Sequence, residues 1–242
     1  MIEIRNVSFT HEYAEAPSLQ DVSLTIPDGQ CVLVCGESGS GKTTLTRLIN
    51  GLIPHYYEGT MTGQVLVEGR DVSQTELYDL APLVGSVFQN PRSQFFCVDT
   101  TSELAFGCEN CGMPEQEILT RIDETVSEMK LAKLMDRNIF ELSGGEKQKI
   151  ACGSVAALRP NIVVLDEPTS NLDVCAIEDL KQTIALWKSQ GKTVVIAEHR
   201  LYWLTDVCDR VVCMRNGGVD YDQPMDAFAA LSEEDLEKPG VF

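Results

Sequence analysis

Residues 36–44 read Gly-Glu-Ser-Gly-Ser-Gly-Lys-Thr-Thr, directly after the apolar run Cys31-Val32-Leu33-Val34-Cys35. A short buried strand that runs into a glycine-rich turn and then a helix is the start of an α/β unit, which narrows the folds open to the chain. Gly36, Gly39 and Gly41 carry no Cβ, so the backbone can bend there and turn several N–H groups toward one point. The next residues, Thr44-Leu45-Thr46-Arg47-Leu48-Ile49, are apolar at helical spacing, and a helix N-terminus adds partial positive charge. The spacing G-x-x-x-x-G-K-[ST] predicts a phosphate cradle made of Gly36, Glu37, Ser38, Gly39, Ser40, Gly41, Lys42, Thr43 and Thr44. In such a cradle Lys42 reaches the β- and γ-phosphates of a nucleoside triphosphate, and the Thr43 hydroxyl takes Mg²⁺.

Many nucleotide-using proteins share this cradle, so the class must be read from other segments. Ile162-Val163-Val164-Leu165 reads as a buried strand that ends on Asp166, placing a carboxylate where it can hold the Mg²⁺ shell. Glu167, the next residue, points away from Asp166 if the backbone stays extended, and there it can orient or deprotonate an attacking water. His199 follows a second apolar strand, Thr193-Val194-Val195-Ile196-Ala197, from which it can hydrogen-bond a γ-phosphate. Gln89 ends a third strand, residues 83–88, where its amide can contact Mg²⁺ or the water. Ser143, Gly144 and Gly145 open a helix running to about Leu158, and a helix start binds anions.

Residues 142–151 read LSGGEKQKIA, 162–167 read IVVLDE, 168–173 read PTSNLD, and His199 follows. Their order and spacing resemble the ATP-binding cassette family over nearly the whole chain. The resemblance implies an α/β nucleotide-binding domain with a mostly parallel core sheet, an antiparallel β subdomain and an inserted α-helical subdomain. It also implies one domain over 1–242, with 1–90 and 161–242 as the core and about 91–160 as the insert. Asp173 and the Ser143-Gly144-Gly145 turn then join the nucleotide site, the turn closing over the γ-phosphate held by a partner cassette, identical or related. Family members carry an aromatic residue after the first strand to stack on adenine, for which this chain offers His11 or Tyr13.

Residues 87–114, VFQNPRSQFFCVDTTSELAFGCENCGMP, further resemble the ATPases of energy-coupling-factor importers. That likeness implies a peripheral protein at the cytoplasmic face of the membrane, beneath a transmembrane coupling subunit that works with a small membrane protein binding a vitamin or metal ion. Phe95 and Phe96 are adjacent and do not easily face one core, so at least one is expected to line a groove for the coupling subunit. Other transporter classes, and soluble cassette ATPases acting on ribosomes or DNA, share the four motifs.

The net charge of −18 counts against nucleic acid, since such a field repels phosphate backbones. Acidic residues are spread along the chain, with a run at 232–237. The opening MIEIRNVSF is not the pattern of a signal peptide, and the apolar stretches are strand-sized, so no membrane span is expected. Of nine cysteines, Cys31, Cys35, Cys152 and Cys213 fall in apolar segments and read as reduced core thiols, while Cys108 and Cys111 form a lone C-x-x-C. Residues 2–9 and 19–26 alternate as an antiparallel pair, 63–69 read as another strand, 210–214 as a late strand, 216–218 as a turn and 224–231 as a short helix.

Overall fold

The computed structural model describes residues 1–170 and 172–230; the acidic run at 232–237, Asn171 and Leu231 lie outside the described residues. In chain order the strands and helices are β1 (Ile2–His11), β2 (Leu19–Ile26), β3 (Cys31–Cys35), α1 (Lys42–Ile49), α2 (Leu52–His55), β4 (Gly59–Val67), β5 (Arg70–Asp71), α3 (Leu77–Leu80) and β6 (Val84–Val87). The helices α4 (Thr100–Asn110), α5 (Glu115–Glu128) and α6 (Gly144–Leu158) follow. Last come β7 (Ile162–Asp166), α7 (Val174–Ser189), β8 (Thr193–Ala197), β9 (Arg210–Arg215), β10 (Gly218–Pro224) and α8 (Met225–Ala229).

Two sheets form. A four-stranded antiparallel sheet has the order β2-β1-β4-β5, and a six-stranded sheet has the order β10-β9-β3-β8-β7-β6. Within the larger sheet all neighbours are parallel except the edge strand β10, which pairs antiparallel with β9. Side chains alternate across a strand, and β3 shows the result. Val32 and Val34 join the cluster shared with α1 and the antiparallel sheet, whereas Cys31, Leu33 and Cys35 join the one shared with α7. On α7 the buried residues are Ile177, Leu180, Ile184 and Trp187, one helical face. Burying a side chain of this size contributes about 1.5–3 kcal/mol. A third cluster joins α4, α5 and α6 through Leu104, Ile118, Ile122 and Ile150, giving the insert its own core.

Two expectations from sequence need correction. The strand expected at 63–69 is β4, which starts at Gly59 and stops at Val67. Glu68 and Gly69 have φ of 49° and 76°, the left-handed pair that a tight hairpin turn into β5 requires. The polar start of β4 is in the sheet because β1 pairs it, with Phe9 opposite Met61 and His11 opposite Gly59. After β9 the turn is Asn216-Gly217, with φ of 48° and 80°, and the chain returns as β10 before the helix begins at Met225. Among the described residues no cysteine is in a disulfide; Cys31, Cys35, Cys108, Cys152, Cys208 and Cys213 are buried, and Cys111 is exposed. Among the described residues no His, Cys, Asp or Glu cluster suits a metal ion, so Cys108 and Cys111 have no partners for one.

Candidate nucleotide site

The phosphate loop leaves the carboxyl end of β3, Gln89 follows β6, Asp166 ends β7, and His199 follows β8. The topology therefore brings four segments far apart in sequence to the carboxyl edge of one parallel sheet, where open α/β sheets bind ligands.

Backbone sets the loop's shape. Gly36 has φ 137°, and a Cβ there would lie 2.2 Å from the carbonyl oxygen of Met214. Gly41 has φ 103°, and a Cβ there would lie 2.6 Å from Ser18 O. Only glycine meets both demands. Gly41 also caps α1, and having no side chain it takes none of the N–H groups of the first turn, leaving them for an anion. Glu37, Ser38 and Gly39 are exposed at the tip, and Ser40, Lys42 and Thr44 are buried. Ser40 Oγ is buried without a hydrogen-bond partner, an orphaned polar atom inside the cradle. Lys42 Nζ donates to the carbonyls of Gly36 (2.8 Å) and Glu37 (2.9 Å), which holds the ammonium in the middle of the loop.

Thr43 Oγ1 donates to Asp166 Oδ1 at 3.0 Å, so the two oxygens expected to serve one metal ion stand together. Burial pushes the Asp166 carboxyl above its ordinary range, partly opposed by the Thr43 hydrogen bond. Such a carboxylate gains from a cation.

Glu167 departs from expectation. It does not continue the strand on an extended backbone but turns left-handed at φ 43°, its N–H donating to Ala197 O at 2.8 Å. That turn sends its carboxylate toward the neighbouring loops. Glu167 Oε2 accepts a hydrogen bond from Gln89 Nε2 at 2.9 Å and lies 4.0 Å from His199 Nδ1. Gln89, Glu167 and His199 therefore form one group. Sequence reading missed Glu198, which is fully buried and accepts from the backbone N–H of His199 (2.9 Å) and from the Thr169 hydroxyl. A charged residue closing an otherwise apolar strand was the available signal.

Ser143 caps α6 in a capping box: its Oγ accepts from Glu146 N, and Glu146 Oε2 accepts from Ser143 N at 2.8 Å. These hydrogen bonds, chiefly that of the Ser143 backbone, hold the Glu146 carboxyl below its usual range. Ser143 and Gly144 are exposed, and Gly145 packs so closely on Ala176 at the head of α7 that a Cβ would lie 2.7 Å from it. Asp173 caps α7, its carboxylate accepting from Ala176 N at 2.8 Å. The turn thus packs on the head of α7, the same end that Asp173 caps.

The two candidates for the adenine platform differ. His11 ends β1 with its ring edge-on to Phe9 (4.8 Å) and Tyr57 (6.4 Å), whereas Tyr13 is 92% exposed on the connection that leads back to Ser18 and Gly41. Phe95 packs into the core of the insert. Phe96 is 74% exposed and stacks on Phe106, with centroids 4.7 Å apart and planes 14° apart. The pair lines an apolar groove of about 350 Å³, shared with Leu52, Leu77 and Phe88 of the core. Buried Glu103 fixes the loop beneath it by accepting from the N–H groups of Phe96 (3.0 Å) and Cys97 (2.9 Å).

Comparison with known proteins bears on the family and the fold. A provisionally named ABC transporter ATP-binding protein of Treponema denticola is 49% identical over 237 residues, 98% of this chain, and the chain spans 48% of that relative's length. One of Pyrococcus abyssi, similarly named, is 39% identical over the full chain and 86% of its own length. Among solved structures, CbiO1 of Clostridium perfringens, described as part of the ABC transporter complex cbiONQ, superposes with a TM-score of 0.84 at 25% identity, covering 97% of this chain and 92% of that one. An ATP-binding cassette in a dimeric post-hydrolysis state, bound to ADP and phosphate, gives 0.80 at 25% identity, with 93% and 99% covered. The ABC transporter family profile matches residues 19–170, and with the phosphate loop, Asp166, the capped signature turn and His199 on one cassette fold, the chain belongs to the ABC transporter family as an ATP-binding cassette.

Proposed function

We propose that this cassette binds and hydrolyses ATP as the ATPase subunit of an energy-coupling-factor type importer. It acts as one of a pair of cassettes, with an identical or related chain, at the cytoplasmic face of the membrane. A transmembrane coupling subunit docks on it and serves a membrane protein that binds a vitamin or metal ion. The observation that carries the reading is Gln89: its amide holds Glu167, while the residues just beyond it, Gln94 and Phe96, line the apolar groove. One short segment thus joins a hydrolytic carboxylate to a docking surface, which suits an enzyme whose chemistry must be felt by a partner. The pattern at 87–114 and the likeness to CbiO1 support the same choice. Among the described residues no helix is long and apolar enough to cross a membrane, so the membrane part falls to other chains or segments.

The chain's residues divide the work. The N–H groups of residues 36–41 and the α1 terminus bind the β- and γ-phosphates, with Lys42 as the point charge. Thr43 and Asp166 offer hard oxygen donors that fit Mg²⁺, with Gln89 nearby; when bound, the ion neutralises phosphate charge. Glu167 orients the attacking water and accepts its proton, and His199 contacts the γ-phosphate. The Ser143-Gly144-Gly145 turn, exposed at Ser143 and Gly144, presents its helix terminus to the nucleotide of the opposite cassette, and Asp173 shapes that face by capping α7. His11 or Tyr13 serves the adenine.

The test is affinity purification of the tagged chain from its own cells, with phosphate release measured on what is recovered. A polytopic membrane protein in the complex is expected. Recovery with ribosomes or nucleic acid would overturn the importer reading while leaving the ATPase intact.

A further inference from the structure

Glu198 is fully buried, and nothing in the hydrolytic scheme employs it. A carboxylate removed from water costs several kcal/mol unless donors surround it, so a buried one repays a close look at what it holds. Its Oε2 accepts the hydroxyl of Thr169, itself fully buried. Its Oε1 accepts the backbone N–H groups of His199 (2.9 Å) and Arg200 (3.2 Å) and lies 3.4 Å from His199 Nδ1. The imidazole, by contrast, is 48% exposed, so little packing holds it in place. On its Nδ1 side the ring meets two carboxylates, Glu198 at 3.4 Å and Glu167 at 4.0 Å.

We infer that Glu198 is a positioning residue for ATP hydrolysis: it keeps the Nδ1–H edge of His199 turned inward and so presents Nε2 to the γ-phosphate. The inference rests on His199 being the γ-phosphate contact. With Nδ1 turned to the carboxylate, Nε2 is the ring nitrogen that faces the phosphate, and an anionic phosphate oxygen there accepts only from an Nε2–H. The same carboxylate, through Thr169, ties this histidine to the segment that ends at Asp173 and the head of α7. A shift of that segment against a partner cassette would therefore reach His199 through one buried side chain.

Nitrogen-15 spectra of the histidine rings test this in the chain alone. His55 supplies an internal contrast, because its Nε2 lies 2.8 Å from the carbonyl of Val72 and must carry the proton there. His199, assigned by its loss in His199→Asn, is expected as the Nδ1–H tautomer in the wild type. In Glu198→Gln, which keeps an oxygen for the two backbone donors but loses the charge, the Nε2–H form should grow, and in Glu198→Ala it should predominate. A wild-type His199 already in the Nε2–H form, or one unchanged in Glu198→Gln, would overturn the inference.

Steady-state phosphate release by the assembly in which the wild type turns over gives the second readout. His199 Nδ1 and the Glu198 carboxylate stand 3.4 Å apart, and loss of that contact should lower the kcat of Glu198→Ala by about tenfold while KM for ATP changes by less than about twofold. Glu198→Gln should recover most of the loss, and if Glu198→Ala fails to fold, the wild type and Glu198→Gln decide the matter by the spectra. A Glu198→Gln protein no more active than a folded Glu198→Ala would reduce the residue to packing and sink the proposal. Wild-type turnover by His199→Ala would instead refute the γ-phosphate role of His199, an outcome the spectra keep separate from what Glu198 does to the ring.

Discussion

Replacing Phe96 with Ser separates docking from folding, because its neighbour Phe95 supplies the opposite control. Phe96 is 74% exposed and its covered face rests on Phe106. Stability lost on removing it is therefore close to the value of one aromatic pair, about 0.5–1.5 kcal/mol. For a chain of this size that lowers the thermal midpoint by only a few degrees, at roughly 2–4 °C per kcal/mol. An exposed aromatic at the rim of an apolar groove is, on the other hand, the kind of anchor whose truncation costs about 2 kcal/mol or more of binding, roughly thirtyfold in Kd. Phe95 faces the core formed by α4, α5 and α6, so Phe95→Ser should cost more stability, up to about 3 kcal/mol. The assay is co-purification with the membrane partner beside a thermal melt and an ATP-binding titration of each variant. Phe96→Ser is expected to melt near wild type, bind ATP normally and lose the partner. A Phe96→Ser protein that keeps its partner at wild-type affinity would refute the docking argument; one that melts as low as Phe95→Ser would refute the reading of its environment.

Glu167→Gln should bind ATP with unchanged affinity and nearly stop phosphate release, since the amide keeps the Gln89 contact but cannot accept a proton; wild-type turnover would remove Glu167 from the base role. Lys42→Ala should weaken ATP binding itself, by about tenfold or more, read by calorimetry, because it deletes the ammonium at the centre of the loop. Neither pure Ser143→Arg nor pure Lys42→Ala should hydrolyse ATP, whereas a mixed pair, formed with the natural partner, should regain at most one composite site; full activity of pure Ser143→Arg would show that the turn does not act across an interface. The capping box makes α6 pH-sensitive: with the Glu146 carboxyl held low, its contribution of roughly 0.5–1 kcal/mol is present above the ordinary carboxylate range and lost as pH falls through the lowered value. Glu146→Gln should therefore melt below wild type at neutral pH and converge with it in acid, and a constant gap would contradict the assignment.

What could be read in the residues and what could not divide along physical lines. The phosphate loop is legible because glycine spacing, an apolar strand and a helix start are all local, and Ser143 with Glu146 three residues on is a local cap as well. The strand β10 was illegible: Gly-Val-Asp-Tyr-Asp-Gln-Pro has no fully buried residue and joins the sheet through backbone pairing with β9 rather than through an apolar face. The first half of β4 escaped notice for the same reason. Glu167 turns left-handed where an extended backbone was expected, because its N–H pairs with the Ala197 carbonyl of another strand. Glu103 and Glu198 are buried because donors satisfy them, the N–H groups of Phe96 and Cys97 for Glu103, and those of His199 and Arg200 with the remote Thr169 hydroxyl for Glu198, a loop geometry that the order of residues does not display.

Contacts between backbones also explain why the loop can keep one shape while its side chains do chemistry. Gly217 N–H donates to Ser40 O at 3.1 Å, and Ser18 O lies against the positions a Cβ would take on both Gly41 and Gly217. Met214 O closes on Gly36 from β9. Three segments from the two sheets thus press on the phosphate loop with main-chain atoms, and main chain cannot relax around an added methyl as a flexible side chain would. Lys42 and Thr43 are correspondingly free to exchange their present partners, two carbonyls and a carboxylate, for phosphate and metal without the cradle changing form. Rigidity of the frame and exchangeability of the contacts are separate properties here, and the glycines supply the first so that the lysine and threonine can supply the second.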